Sequence, residues 1–136
     1  MDRFKNRIVG VLMVAIFVLA APIVWAGGGS AKSAKMHAGA MMDEGQQMMS
    51  HGNQGHLDVM VKHAKSMVKH AKEAVEATPS GDMHGKEAVM HINEAIKHAE
   101  EAISHGEQGH GDVAMKHAKE AMNHAKEGQM HANQMK

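Results

Sequence analysis

The chain has 136 residues, enough for one small domain. It holds thirteen His and fifteen Met, no Cys, and only Phe4, Phe17 and Trp25 as aromatics. Without Cys there is no disulfide, thiolate zinc site, iron–sulfur cluster or thiol nucleophile. Fifteen basic against fifteen acidic residues exclude a strongly basic nucleic-acid binder. Few aromatics and few bulky aliphatics exclude a large, rigid enzyme core.

The first segment reads as an address. Arg3, Lys5 and Arg7 precede the uninterrupted apolar run Ile8–Ala21, then Pro22 and the small-x-small triplet Val24-Trp25-Ala26. This is the pattern of a secretory signal peptide over residues 1–26, with cleavage expected after Ala26. The alternative is an uncleaved anchor, since residues 8–26 are just long enough to cross a bilayer. Cleavage would place the protein in the periplasm with no stable membrane insertion. Residues 27–35 are expected to form a flexible tail.

The remainder is a duplication. Residues 51–73 (HGNQGHLDVMVKHAKSMVKHAKE) and 105–127 (HGEQGHGDVAMKHAKEAMNHAKE) are offset by 54 positions and identical at fifteen of 23. Each unit reads as helix, short HGxQGH turn, helix. The first hairpin is expected over 36–77 and the second over 83–133. Between them Thr78-Pro79-Ser80-Gly81-Asp82 forms a linker, because Pro and Gly end helices.

Segments 56–77, 84–104 and 110–127 are rich in Ala, Lys, Glu and Met, which favour helix. Each carries an apolar stripe at helical spacing: Met60, Ala64, Met67, Ala71 and Ala74, then Ala88, Ile92, Ala95, Ala99 and Ala102, then Ala114, Ala118, Ala121 and Ala125. The first helix, expected over about 37–50, is interrupted by Gly39 and Gly45. Four such helices with short connections predict an all-α fold, an up-down antiparallel four-helix bundle. Its Ala and Met core is thin, with Met60, Met67, Met115 and Met122 as filler.

Histidine keeps a seven-residue beat: His56, His63 and His70; His84, His91, His98 and His105; His110, His117, His124 and His131. Seven residues are about two turns, roughly 10.5 Å of rise, so each helix carries a rail of imidazoles along one edge of its apolar face. Across the second hairpin His105 can meet His110, His98 meet His117, His91 meet His124 and His84 meet His131. Across the first, His51 can meet His56, His37 meet His70, and Glu44 meet His63. The same spacing also permits a ladder between the two middle helices. The hairpin ladder is the expectation taken forward.

Carboxylates share the beat. Glu73, Glu87, Glu94, Glu101, Glu120 and Glu127 each follow a His by three residues, beside it on the helix face. With Glu44, they are candidates to ligate a metal or to orient a ring, although each can instead pair with a nearby Lys. Imidazole and carboxylate suit Cu(II), Ni(II), Zn(II), Co(II) and iron, and the affinity order favours Cu(II). Met36, Met41, Met42, Met48 and Met49, close to His37 and His51, form a softer set suited to Cu(I).

At 91–110 (HINEAIKHAEEAISHGEQGH) and 116–127 (KHAKEAMNHAKE) the chain resembles the small metal-binding protein family of bacterial periplasms. The resemblance spans roughly 51–133 and rests on the seven-residue His beat and the HGxxGH turn. It implies a monomeric four-helix bundle that binds several divalent metals, copper foremost, with a role in copper buffering or tolerance. Residue by residue it points to His56, His63, His70, His84, His91, His98, His105, His110, His117 and His124. The first helix departs from the pattern: Glu44 stands where a His would continue the ladder. No enzymatic pocket with distinct acid and base roles is expected. The rival reading is an acid-sensing module in which imidazoles charge together. The metal-delivery partner is not readable from the sequence.

Overall fold

The computed structural model describes residues 29–136, so the leader expected over 1–26 lies outside the described residues. Among the described residues there are four helices and no strand: α1 (Ala31–Asn53), α2 (Leu57–Ala77), α3 (Met83–Glu107) and α4 (Gly111–Gln134). The helices form a bundle in which α2 and α4 each pack against both α1 and α3. No helix among the described residues is long and apolar enough to cross a membrane.

Local chemistry sets where the helices begin and end. α1 starts earlier than expected, so residues 31–35 of the anticipated tail are helical. Ser30 caps it, accepting from the Ser33 backbone N–H at 3.2 Å, and Ala and Lys then carry the helix forward. Gly39 and Gly45 do not interrupt α1; Gly45 is buried at a close approach to other helices. At the end of α1 the His56 N–H bonds the His51 carbonyl at 3.0 Å and the Gly55 N–H bonds that of Gly52 at 3.0 Å. This is a Schellman stop, and Gly55 holds the left-handed conformation it needs, with φ of 76°. The second turn repeats it: His110 bonds His105 at 2.9 Å, Gly109 bonds Gly106 at 3.1 Å, and Gly109 has φ of 75°.

The core contains the stripes read from the sequence and adds Val61, Val68, Val75 and Ile96, which those stripes did not include. Met41, Met48, Met60, Met67, Val75 and Ile92 are its largest fully buried side chains, and the stripe alanines of α2, α3 and α4 are buried between them. Small residues let the helices approach closely. A Cβ on Gly128 would stand 2.6 Å from Ile92 Cγ1 and 3.3 Å from the Ile92 backbone nitrogen. Gly128→Val should therefore overpack the α3·α4 contact and destabilise the metal-free protein by about 1–3 kcal/mol, read by urea unfolding. Unchanged stability would contradict this packing.

Asp82 caps α3, its Oδ1 accepting from the Gly85 N–H at 3.2 Å, while the Lys136 N–H reaches Oδ2 at 3.1 Å. The Lys136 bond foremost, with those from Gly85 and His84, holds its carboxyl below the usual aspartate value. A lowered folded-state pKa gives stability that is present above the unfolded value and is lost as pH falls through the folded one. Asp82→Ala should lower the unfolding midpoint at pH 7. The gap to the parent should close in acid below the ordinary aspartate range.

Candidate metal centre

The imidazole rails meet across the hairpins, within α1·α2 and α3·α4, rather than between the middle helices. In the second hairpin the facing rings His84–His131, His91–His124 and His98–His117 stack with centroids 6.1, 6.1 and 5.7 Å apart. His105 and His110 flank the turn at 5.8 Å, tilted by 42°. Each ring also stacks on the next rung: His91–His131 at 5.5 Å, His98–His124 at 5.7 Å and His105–His117 at 5.6 Å, all within 5° of parallel. Eight imidazoles thus form one continuous zigzag, with every interior ring shared by two neighbours.

The first hairpin holds a shorter version of the zigzag: five imidazoles, with Glu44 at the place of His98 and no rung matching His84–His131. His37 stacks on His70 at 6.2 Å, His51 on His63 at 5.3 Å, and His51 meets His56 at 5.9 Å. Between these pairs Glu44 takes the place of an imidazole, its Oε2 lying 2.8 Å from His63 Nδ1. Eleven of the thirteen histidines are half-buried; His56 and His110, at the starts of α2 and α4, are exposed.

Three rungs gain a carboxylate, and the three are built alike. Glu101 Oε2 lies 2.7 Å from His117 Nδ1 and 3.3 Å from His98 Nδ1. Glu87 Oε2 lies 2.9 Å from His131 Nδ1 and 3.7 Å from His84 Nδ1. Glu73 Oε2 lies 3.0 Å from His70 Nδ1 and 3.1 Å from His37 Nδ1. In each group the three ligand atoms lie within 4.8 Å of one another, a spacing at which one ion can be held from both helices. In the Glu73 group the His70 Nδ1 is hydrogen-bonded to the carboxylate at 3.0 Å, so there the acid also sets which ring nitrogen faces it.

Fit to a cation can be tested on the nitrogens themselves. The Nδ1 atoms of His51, His84, His105 and His131 are buried and make no hydrogen bond. His131 Nδ1, although 2.9 Å from Glu87, is not in hydrogen-bonding geometry with it. A buried polar atom without a partner costs about 1–3 kcal/mol, and an ion on the lone pair removes that cost. The donors are imidazole nitrogen and carboxylate oxygen, with no sulfur in these groups, which suits a borderline divalent metal.

The structure separates the expected acids. Glu44, Glu73, Glu87 and Glu101 are half-buried and reach imidazoles, whereas Glu94, Glu120 and Glu127 are exposed and join no such group. Glu94 instead lies 3.8 Å from Lys97, the competing pair its spacing allowed. The rung His91–His124 between two acid-bearing rungs therefore has none. Of the first-helix methionines, Met41, Met42 and Met48 are buried in the core, Met49 is half-buried and Met36 is exposed. What the spacing did not reveal is the sharing of each ring between successive rungs.

The model of the small metal-binding protein family matches residues 11–128, and the chain belongs to that family. No curated protein matches it closely enough to count as a relative.

If the shared carboxylate is part of each site, Glu73→Gln, Glu87→Gln and Glu101→Gln should each weaken one bound ion by about 10–100-fold. Glu94→Gln and Glu120→Gln should leave every site intact. Calorimetric titration of the five variants with one metal makes the comparison, and equal effects at Glu94 and Glu101 would refute it.

Proposed function

We propose that this is a non-catalytic, multi-site binder of divalent metal that scavenges and buffers Cu(II) in the periplasm once residues 1–26 have been removed. The observation that carries the reading is the threefold recurrence of one construction. Two imidazoles from facing helices and one carboxylate converge in His37/His70/Glu73, His84/His131/Glu87 and His98/His117/Glu101. A single such cluster on a surface is common; three of the same build on a family member whose members are described as metal-binding are not incidental.

Cu(II) is the preferred cargo because it stands at the top of the affinity order for nitrogen and oxygen ligands; Ni(II), Zn(II), Co(II) and iron follow as weaker competitors. The ion needs the Nδ1 lone pair and so competes with protons for it, which makes capacity fall in acid. Each filled group clamps two helices and raises stability by mass action, about 2.7 kcal/mol per site at a hundredfold excess over its dissociation constant. The protein acts as a monomer in this reading, since each group is completed within one hairpin of one chain.

Calorimetry with Cu(II) should find at least three ions per chain, and a chelator should reverse the accompanying rise in melting temperature. Binding of one ion or fewer would overturn the proposal. If acid unfolds the protein identically with and without chelator, the imidazoles sense pH and do not serve to hold metal.

A further inference from the structure

The two contacts between hairpins, α2·α3 and α1·α4, differ in a way the His rails do not explain. Positions 54 apart in the sequence allow them to be compared side by side. On α2 and α3 the seam holds Val61, Val68, Ile96 and Ile103; at the corresponding positions α1 and α4 carry Met115, Met122, Met42 and Met49. These four aliphatics of one seam are methionines in the other, at similar burial: Ile96 is 8 % exposed and Met42 6 %, Val68 8 % and Met122 7 %. Farther along, Val75 and Val89 correspond to Gln129 and Lys35.

The charges differ in parallel. Lys65 pairs with Glu107 at 2.7 Å and Lys72 with Glu100 at 3.1 Å, tying α2 to α3. The corresponding residues of the other seam are Lys119 with Asn53 and Lys126 with Gln46, so the lysines keep their place and the acids become amides.

Within that second seam the sulfurs converge. Gly45 and Gly52 are buried on α1, two turns apart, and each leaves a hollow where a Cβ would stand. The hollow of Gly45 is filled by the Sδ of Met122 from α4, with Met67 Sδ from α2 at 3.3 Å from the same point. The hollow of Gly52 is filled by Met115 Sδ from α4, with Met60 Sδ from α2 at 3.1 Å. Met42 and Met49 lie on the same face of α1, three residues before each glycine. At Gly106, the position matching Gly52, the neighbour is instead Val61 Cγ2.

We infer that the α1·α4 seam is a second, separate kind of metal site, a pair of thioether positions for soft monovalent ions, Cu(I) or Ag(I), one at the Gly45 hollow and one at the Gly52 hollow. Met122 and Met67, with Met42 on the same layer, serve the first; Met115 and Met60, with Met49 on the same layer, serve the second, two turns away. The chemistry decides the ion. Thioethers are soft and uncharged, so they bind Cu(I) and Ag(I) and give little to a hard dication. A dication would also enter a low-dielectric seam with no carboxylate to offset its charge, beside Lys119 and Lys126. A monovalent soft ion matches the thioethers and faces a much smaller desolvation cost, since that cost rises with the square of the charge. This site goes beyond the divalent-metal reading and stands or falls independently of it.

The opposite seam supplies the control. The variant M42I/M49I/M115V/M122V, with Gly45→Ala to refill the hollow, installs the residues that the α2·α3 seam already packs. Ag(I), which needs no redox partner, is titrated into the full chain with methionine methyl groups labelled for NMR. The methyls of Met115, Met122, Met60 and Met67 should shift over the first two equivalents, before those of the exposed Met36, Met83, Met90 and Met130. The variant should bind those two ions at least tenfold more weakly while its Cu(II) uptake is unchanged. First shifts confined to the exposed methionines or to His ring signals overturn the inference, whether or not the variant folds. So does full Ag(I) affinity in a folded variant.

Discussion

One backbone hydrogen bond at each turn fixes the register on which the imidazole ladders depend. The His56 N–H closes on the His51 carbonyl, and the His110 N–H on that of His105. The two residues that bond are themselves the first rung. With that rung set, a seven-residue beat on both strands of the hairpin brings each later pair into line, because two turns of helix return a side chain to nearly the same direction. A glycine in the left-handed region is required for this closure, and Gly55 and Gly109 provide it. A residue with a Cβ there would strain the turn and shift every rung beyond it at once. The HGxQGH motif is thus a structural device first, and its two histidines contribute to the array because of where the turn puts them.

Much of this was legible beforehand for a physical reason: the helices are amphipathic, and their polar edge is dominated by one residue type. Stripes of Ala and Met predict the buried faces, and every stripe residue named from the sequence is buried. The pairing of His84 with His131, or His98 with His117, follows from a short turn and equal spacing. The choice between hairpin and middle-helix ladders did not follow, because it depends on the hand of the bundle and periodicity carries no hand. Nor did the difference between Glu94 and Glu101. Both sit three residues after a His, yet one faces Lys97 in solvent and the other bridges two imidazoles. Such a choice is a contest between exposed side chains worth a few tenths of a kcal/mol, below what spacing can decide. Gly39 and Gly45 lower local helix propensity, which is why an interruption of α1 was expected there. Tertiary packing overrides that cost: Gly45 is filled by a methionine sulfur from another helix.

The same thin core gives the array its leverage. Alanine faces bury little area, so the metal-free bundle has few strong apolar contacts to spare. Unpartnered Nδ1 atoms at His51, His84, His105 and His131 add a further cost. A protein with a dense aliphatic core would gain little from cross-bracing its helices. An ion gripped from two helices would relieve nitrogens such as those of His84 and His131 and add a tether at the edge of a loosely filled interior.

Among the described residues every His–Glu group closes within a hairpin, and none joins one hairpin to the other. Loading therefore braces α1 against α2 and α3 against α4, and leaves the contact between hairpins to other forces. On one side those forces are branched aliphatics and two Lys–Glu pairs, next to the covalent connection through residues 78–82. On the other they are methionines and amides, with no covalent link between α1 and α4. Divalent cargo at the outer edges and the seam between hairpins are for this reason mechanically separable. The rails can fill without forcing the α1·α4 seam shut, because no ligand of theirs crosses it.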